Sequence, residues 1–313
     1  MINISNQIHL VQTDIWNNFK KEYGNKIEKF EDIYFLVKKI PLSSFYMAYS
    51  PKVNFEIQQV DFEKLRQFCK KNKIAFVRFD VPNLLKDVEN GKKWMVKLEK
   101  ECIVASKNTF TKKNIYLDLN LKLEDIVQKM HQKKRYNIKQ AQKKNVEIKI
   151  ESTSEAFENF WQLHSETAKN QQFLTHSKNY FQTLFTKMQK NIYFVQAFVD
   201  KNIATCWMII FKDNTIYYVY GGSNTKYNNY YPSDLVGFEA IKLGKSLGAT
   251  LFDMWGAEEG KGFTDFKLKY GGEMIEYIDG YDFVVNKFWY FWFNTLYNGF
   301  WYLEKLKRKI LKK

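Results

Sequence analysis

Three strand-like runs separated by tight-turn residues limit what this chain can become more than any other feature. Ile192 to Val199, Ala204 to Phe211 and Ile216 to Tyr220 are rich in β-branched and aromatic residues, with Asp200, Lys201 and Asn202, then Asp213 and Asn214, between them. Connections this short join antiparallel neighbours, so the stretch is a meander. Gly221 and Gly222 then lead through a polar loop into a helix over Ser233 to Leu247, Gly248 closes it, and Leu251 to Trp255 is a buried strand.

Upstream, strand and helix signals alternate. Ile33 to Ile40 and Phe45 to Tyr49 read as strands, Phe62 to Lys71 as an amphipathic helix, and Ala75 to Val81 as a strand ended by Pro82. Asn83 to Phe110 carries no clear period, and Asn114 to Leu119 is another short strand. From Lys122 to Lys144, Leu123, Val127, Met130, Ile138 and Ala141 fall at helical spacing, and Asn145 suits the left-handed position that closes a helix. Val146 to Ile150 is a strand, and helices follow around Glu155 to Ala168 and Lys178 to Lys190. A domain boundary is expected near Leu121, and the fold class is α/β (α+β).

The charge balance narrows the partners. Lys plus Arg number 49 against 34 Asp plus Glu, a net charge of +15. Only Arg66, Arg78, Arg135 and Arg308 are arginines, so most of the excess is lysine, a hydrated point charge suited to non-specific attraction to phosphate. Cys69, Cys102 and Cys206 stand apart at no metal or redox spacing, which points to a reducing compartment. Met1 to Leu10 lacks the basic start and apolar stretch of a signal peptide, so a cytoplasmic protein is expected. The uncharged run Phe288 to Leu303 is shorter than the roughly 20 residues of a membrane span. With six basic residues among the nine from Lys305 to Lys313, a helix over Lys287 to Leu311 would instead suit peripheral contact with the inner face of an anionic membrane; packing on the protein body is the alternative.

No dinucleotide or phosphate-loop motif is present, His9, His131, His164 and His176 do not pair at zinc spacing, and no G-x-S-x-G elbow occurs. Neither a cofactor nor a metal is expected. Two segments carry chemistry. Met130 to Lys144 contains no acid and offers Lys133, Lys134, Arg135 and Lys139 to a phosphate-rich partner; its bland alternative is a solvated helix face. Gly260 to Gly272 is a short helix between glycine-rich ends, where Lys267 could be held at the open edge of the sheet, or could be a surface lysine beside the buried stripe Phe263, Phe266 and Tyr270. Arg78 and Asp80 alternate at a strand end and so can share a face, as a cleft pair or a salt bridge.

Sheet, glycine-bearing loop, helix and strand is the order of the second half of an N-acetyltransferase-like fold. Together with Thr111 to Leu119, the run Lys133-Lys134-Arg135-Tyr136-Asn137-Ile138-Lys139 leading into Lys143-Lys144-Asn145-Val146, and Gly262, Phe266-Lys267 and Tyr270-Gly271-Gly272 followed by Gly280-Tyr281, the chain resembles the Fem family of peptidoglycan-bridge transferases. That resemblance implies two N-acetyltransferase-like domains with mixed, mostly antiparallel sheets, 1–121 completed by 286–313, and 122–285, without the long helical hairpin some members carry. It implies transfer of an amino acid from aminoacyl-tRNA to the stem peptide of a lipid-linked or UDP-linked peptidoglycan precursor. Lys267 would be the essential lysine and Asp80 the substrate-orienting acid. Lys38 or Lys39 would meet precursor phosphate; Arg78, Phe266, Tyr220 and His176 would line the substrate site; Lys133, Lys134, Arg135 and Lys139 would bind tRNA. Tyr49 and Ser50 replace a family Arg and Gly, and Asn170 and His176 stand near positions of family arginines. The alternatives are an acyltransferase of N-acetyltransferase type with another carrier, or a non-catalytic module that binds RNA or membrane.

Overall fold

The computed structural model describes residues 2, 4, 6–296 and 299. The chain divides into two compact units: Ile4–Phe110 together with the segment from Tyr277 onward, and Thr111–Glu276 together with Met1–Asn3. The first crossing thus falls at Phe110, not near Leu121. The reason is strand pairing, because Lys113–Asp118 is a ladder neighbour of Leu251–Ala257 and cannot leave that sheet. Likewise Tyr281–Val284, placed by sequence in the second domain, pairs with Ile74–Asp80 and lies in the first unit.

Among the described residues the first unit holds a six-stranded sheet in the order Lys26–Phe30, Ile33–Lys39, Tyr46–Pro51, Ile74–Asp80, Tyr281–Val284, Ile103–Val104. Its parallel pair, Tyr46–Pro51 beside Ile74–Asp80, is spanned by the helix Phe62–Lys71. Asp61 starts that helix by accepting from the Glu63 and Lys64 amides, and Phe62, Leu65 and Cys69 form the stripe it buries. Asp14–Glu22, Lys26–Phe30 and Glu89–Glu101 are elements that residue periodicity did not reveal. At the far end, Arg78 forks onto Asp282 with both bonds at 2.7 Å; Tyr290 Oη donates to the same carboxylate, and Asn294 Oδ1 accepts from Arg78. Residues 287–296 are helical, and Tyr290 and Asn294 pin them to the sheet through this network.

The second unit holds a seven-stranded sheet, Glu273–Glu276, Lys113–Asp118, Leu251–Ala257, Thr215–Ser223, Asn202–Lys212, Ile192–Val199, Glu147–Glu151. The meander is its antiparallel centre, and the helix Pro232–Ser246 crosses between the parallel pair Thr215–Ser223 and Leu251–Ala257. The mixed α/β class with mixed, mostly antiparallel sheets is therefore what the chain adopts. The single helix expected over Lys122 to Lys144 is two, Leu123–Lys129 and Gln132–Lys143. Met130 and His131 are extended between them, and the His131 imidazole accepts from the Lys133 amide, starting a new helix instead of continuing the old one. Asn145 is left-handed at φ 54°, as its position after the second helix requires.

Candidate functional site

The parallel pair of the second unit is laddered only where Thr215 to Tyr217 meet Leu251 to Asp253, although both strands run several residues further. Register shifts at Tyr218/Tyr220 and at Asp253/Gly256 turn the two strands toward their outer neighbours instead. Trp255 adopts φ 67°, a left-handed position rare for an aromatic residue and held by its amide donating to Asp253 Oδ1 at 2.7 Å. Gly256 follows, where a Cβ would sit 2.4 Å from Thr111 Oγ1.

The short helix Gly262–Leu268 lies against this opening, and Lys267 is 9% exposed. Its Nζ donates to the Gly256 carbonyl at 2.8 Å, with Phe263 and Tyr218 rings 5.3 and 5.9 Å away. Among the described residues no carboxylate forms an ion pair with it. Burial lowers its pKa to about 8, against the opposing pull of Asp253, which is itself buried and accepts from the Asn114 amide. The site thus holds an ammonium in a dry setting, backed by one neutral carbonyl. Such a group is poised to receive developing negative charge.

The helix carrying Lys267 is braced from beneath. Tyr270 is wholly buried, donates its hydroxyl to the Ser233 and Asp234 carbonyls, and occupies space that exists because residue 237 is glycine: a Cβ there would lie 2.1 Å from the Tyr270 oxygen. Lys134 is 2% exposed, pairs with Asp234, and lies 3.7 and 4.0 Å from the Phe266 and Tyr270 ring centres. Lys134, named with the exposed cations of the basic segment in the sequence reading, is thus turned inward and engaged by Asp234. Arg135 is half-buried, its guanidinium donating to the Gln128 and Met130 carbonyls that end the preceding helix. Lys133 and Lys139 are the two of the four named cations that stand exposed. Phe266 packs edge-on against Trp207 and Tyr270, inside the bracing more than on a substrate face.

Tyr220 and His176 come together on an aromatic cluster of the same unit. His176, exposed, stacks on Tyr180 at 3.7 Å; Tyr220 shares a hydrogen bond with Tyr180 and meets Phe181 edge-on at 4.8 Å, and burial pushes its hydroxyl up to about 12. Beside it His164, 3% exposed, bonds Gly221 O through Nδ1 and Thr175 Oγ1 through Nε2. A carbonyl can only accept, so Nδ1 carries the proton and Thr175 donates. Nothing in the spacing of the four histidines marked His164 as the one that ties this segment down.

In the first unit Lys38 and Lys39 are exposed at the end of their strand. Asp80 is fully buried and accepts from Tyr49 Oη at 2.5 Å and from the Thr109 and Phe110 amides at 3.0 Å. Burial raises its pKa while those three donors oppose the rise. The carboxylate is thus spent on holding residues 109 and 110, and Tyr49, one of the departures from the family pattern, supplies its shortest bond. Val81 beside it takes φ 47°, strained for a β-branched residue. Arg78 is 4% exposed and makes its direct ion pair with Asp282, while its charge also acts on Asp80.

A family model described as the FemAB family matches residues 2–204 and 200–298. Among curated proteins, the lipid II:glycine glycyltransferase of Staphylococcus epidermidis is 31% identical over 112 residues, 34% of this chain and 24% of that protein. The protein of the same name from Staphylococcus saprophyticus is 25% identical over 171 residues, 52% of this chain and 36% of that protein. The matched region is thus a minor part of those relatives' length. A solved structure of FemX superposes with a TM-score of 0.77 at 15% identity, covering 89% of this chain and 93% of that one.

Proposed function

The chain belongs to the FemAB family, and from that premise we propose that it moves an aminoacyl group from aminoacyl-tRNA to an amine in the stem peptide of a peptidoglycan precursor. The observation that carries the proposal is the buried Lys267 ammonium, backed by the Gly256 carbonyl and balanced by no carboxylate at ion-pair distance among the described residues. In this reading the acceptor nitrogen attacks the ester carbonyl, the C–N bond forms, and the carbonyl oxygen takes up negative charge beside Lys267. The C–O bond to the ribose then breaks, and the proton lost by the amine goes to the departing ribose oxygen. An aminoacyl ester is already activated, so the protein's contribution is placement and charge.

The remaining residues sort by what their positions allow. Exposed Lys133 and Lys139 serve tRNA phosphate; Lys38 and Lys39 serve the phosphates of a lipid-linked or UDP-linked precursor; Tyr220 and His176 offer an aromatic face to the substrate. Asp80 acts as a positioning residue through residues 109 and 110. A lipid-linked acceptor would place the protein at the inner face of the membrane. Incubation with charged tRNA and a muropeptide, followed by detection of the aminoacylated product, tests the reading; a protein that leaves the ester intact would refute it.

A further inference from the structure

The helix that begins at Lys287 has its faces inverted relative to a surface helix. Asn294, a polar residue, is turned onto Arg78, and Tyr290 and Phe293 pack on Phe76. The outward face is apolar: Phe288 is 67% exposed, Phe291 61%, and Trp292 and Leu296 are exposed beside them, at the i, i+3, i+4, i+8 spacing of one stripe. A second element joins it. Trp292 Nε1 donates to the Pro41 carbonyl at 3.2 Å, so the next residue, Leu42, stands with the stripe at the tip of the loop between Ile33–Lys39 and Tyr46–Pro51. Leu42 is 85% exposed and left-handed at φ 59°. A water-facing leucine on a strained turn, beside a row of aromatics, is costly unless something apolar covers it.

We propose that Leu42 and the Phe288, Phe291, Trp292 and Leu296 stripe together form a membrane-docking face that inserts at the headgroup boundary of an anionic bilayer. Charge decides the occupant. Lys287 precedes Phe288, Lys38 and Lys39 end the strand that leads into the Leu42 loop, all three are exposed, and the sequence continues into six basic residues among the last nine, within a chain of net charge +15. Exposed tryptophan and phenylalanine in a lysine-rich chain match the amphipathic interface of lipid headgroups over acyl chains, whereas a face for another copy of so basic a chain would set like charges against each other. The face rests on the peripheral placement proposed above. No helix among the described residues is long and apolar enough to cross a membrane, so the contact is one of docking.

The test is flotation of the full chain with phosphatidylglycerol–phosphatidylcholine vesicles and with phosphatidylcholine vesicles, comparing wild type with L42S/F288S/F291S, and with L42S alone should the triple variant lose its circular dichroism. Wild type should float with the anionic vesicles, and the triple variant should bind about tenfold more weakly or worse. Transfer to a water-soluble UDP-muropeptide, read in parallel, should be unchanged in the variant, while transfer to lipid-linked acceptor in vesicles should fall. Loss of all transfer with vesicle binding intact would sink the enzymatic reading alone. Equal flotation of wild type and variant, no flotation of wild type, or a wild-type dimer that the substitutions turn into monomer would overturn the docking face.

Discussion

The Lys267 ammonium donates to the Gly256 carbonyl oxygen across 2.8 Å, at the point where the two parallel strands of the second unit cease to pair. A lysine so placed has a defined direction and, among the described residues, no carboxylate at ion-pair distance, with Asp253 the carboxylate that acts on it from further off. Its pKa, lowered to about 8 by burial, makes that charge titratable near neutrality. If the charged form is the active one, the rate contribution of Lys267 is present below about 8 and lost as pH rises through that value. We predict an alkaline limb in kcat with its midpoint near 8, missing in Lys267→Met; a stopped assay across pH reads it.

Lys134 and Asp234 make the second prediction. Removing the lysine leaves a largely buried carboxylate with Asn137 as its remaining side-chain donor, so Lys134→Met should lower stability by about 3 kcal/mol. The double variant with Asp234→Asn should recover part of the loss, because no buried charge is then left alone. Urea denaturation measures both.

Such pairs explain how much of the molecule the sequence disclosed. The meander and the helix Phe62–Lys71 were legible because periodicity and turn residues are local signals. The Arg78–Asp282 and Lys134–Asp234 pairs join residues about 200 and 100 positions apart, and neither end carries a mark of burial in its neighbours. Lys134 is the clearest case. Within a run of cations it has the same local signal as Lys133, and only tertiary packing sends one inward and the other to water. The helical stretch of 122–144 breaks for a local reason, since His131 caps the helix that starts at Gln132.

Tyr49 gives a third prediction. Tyr49→Phe removes the hydroxyl donor from Asp80 while both amide donors remain, leaving the buried carboxylate under-satisfied at a cost of about 1–3 kcal/mol. Thermal unfolding reads the loss. Tyr49→Phe should also loosen residues 109 and 110, visible as faster amide exchange there.

For the exposed cations, affinity for tRNA should fall steeply with salt. Lys133→Gln with Lys139→Gln should flatten the slope of log affinity against log salt by roughly 0.7–0.9 per lysine that meets a phosphate. Filter binding over a salt series gives the slope, and an unchanged value would make these lysines a solvated face.

The central claim is that Lys267 stabilises charge formed during aminoacyl transfer. Its most direct measurement is single-turnover transfer of a labelled amino acid from charged tRNA to a muropeptide by wild type, Lys267→Met and Lys269→Met. Lys269 follows the last residue of the same short helix and serves as the control. The account predicts product with wild type, a turnover on the order of 10² lower or worse for Lys267→Met with little change in substrate affinity, and near wild-type transfer for Lys269→Met. Transfer by Lys267→Met at the wild-type rate would contradict it.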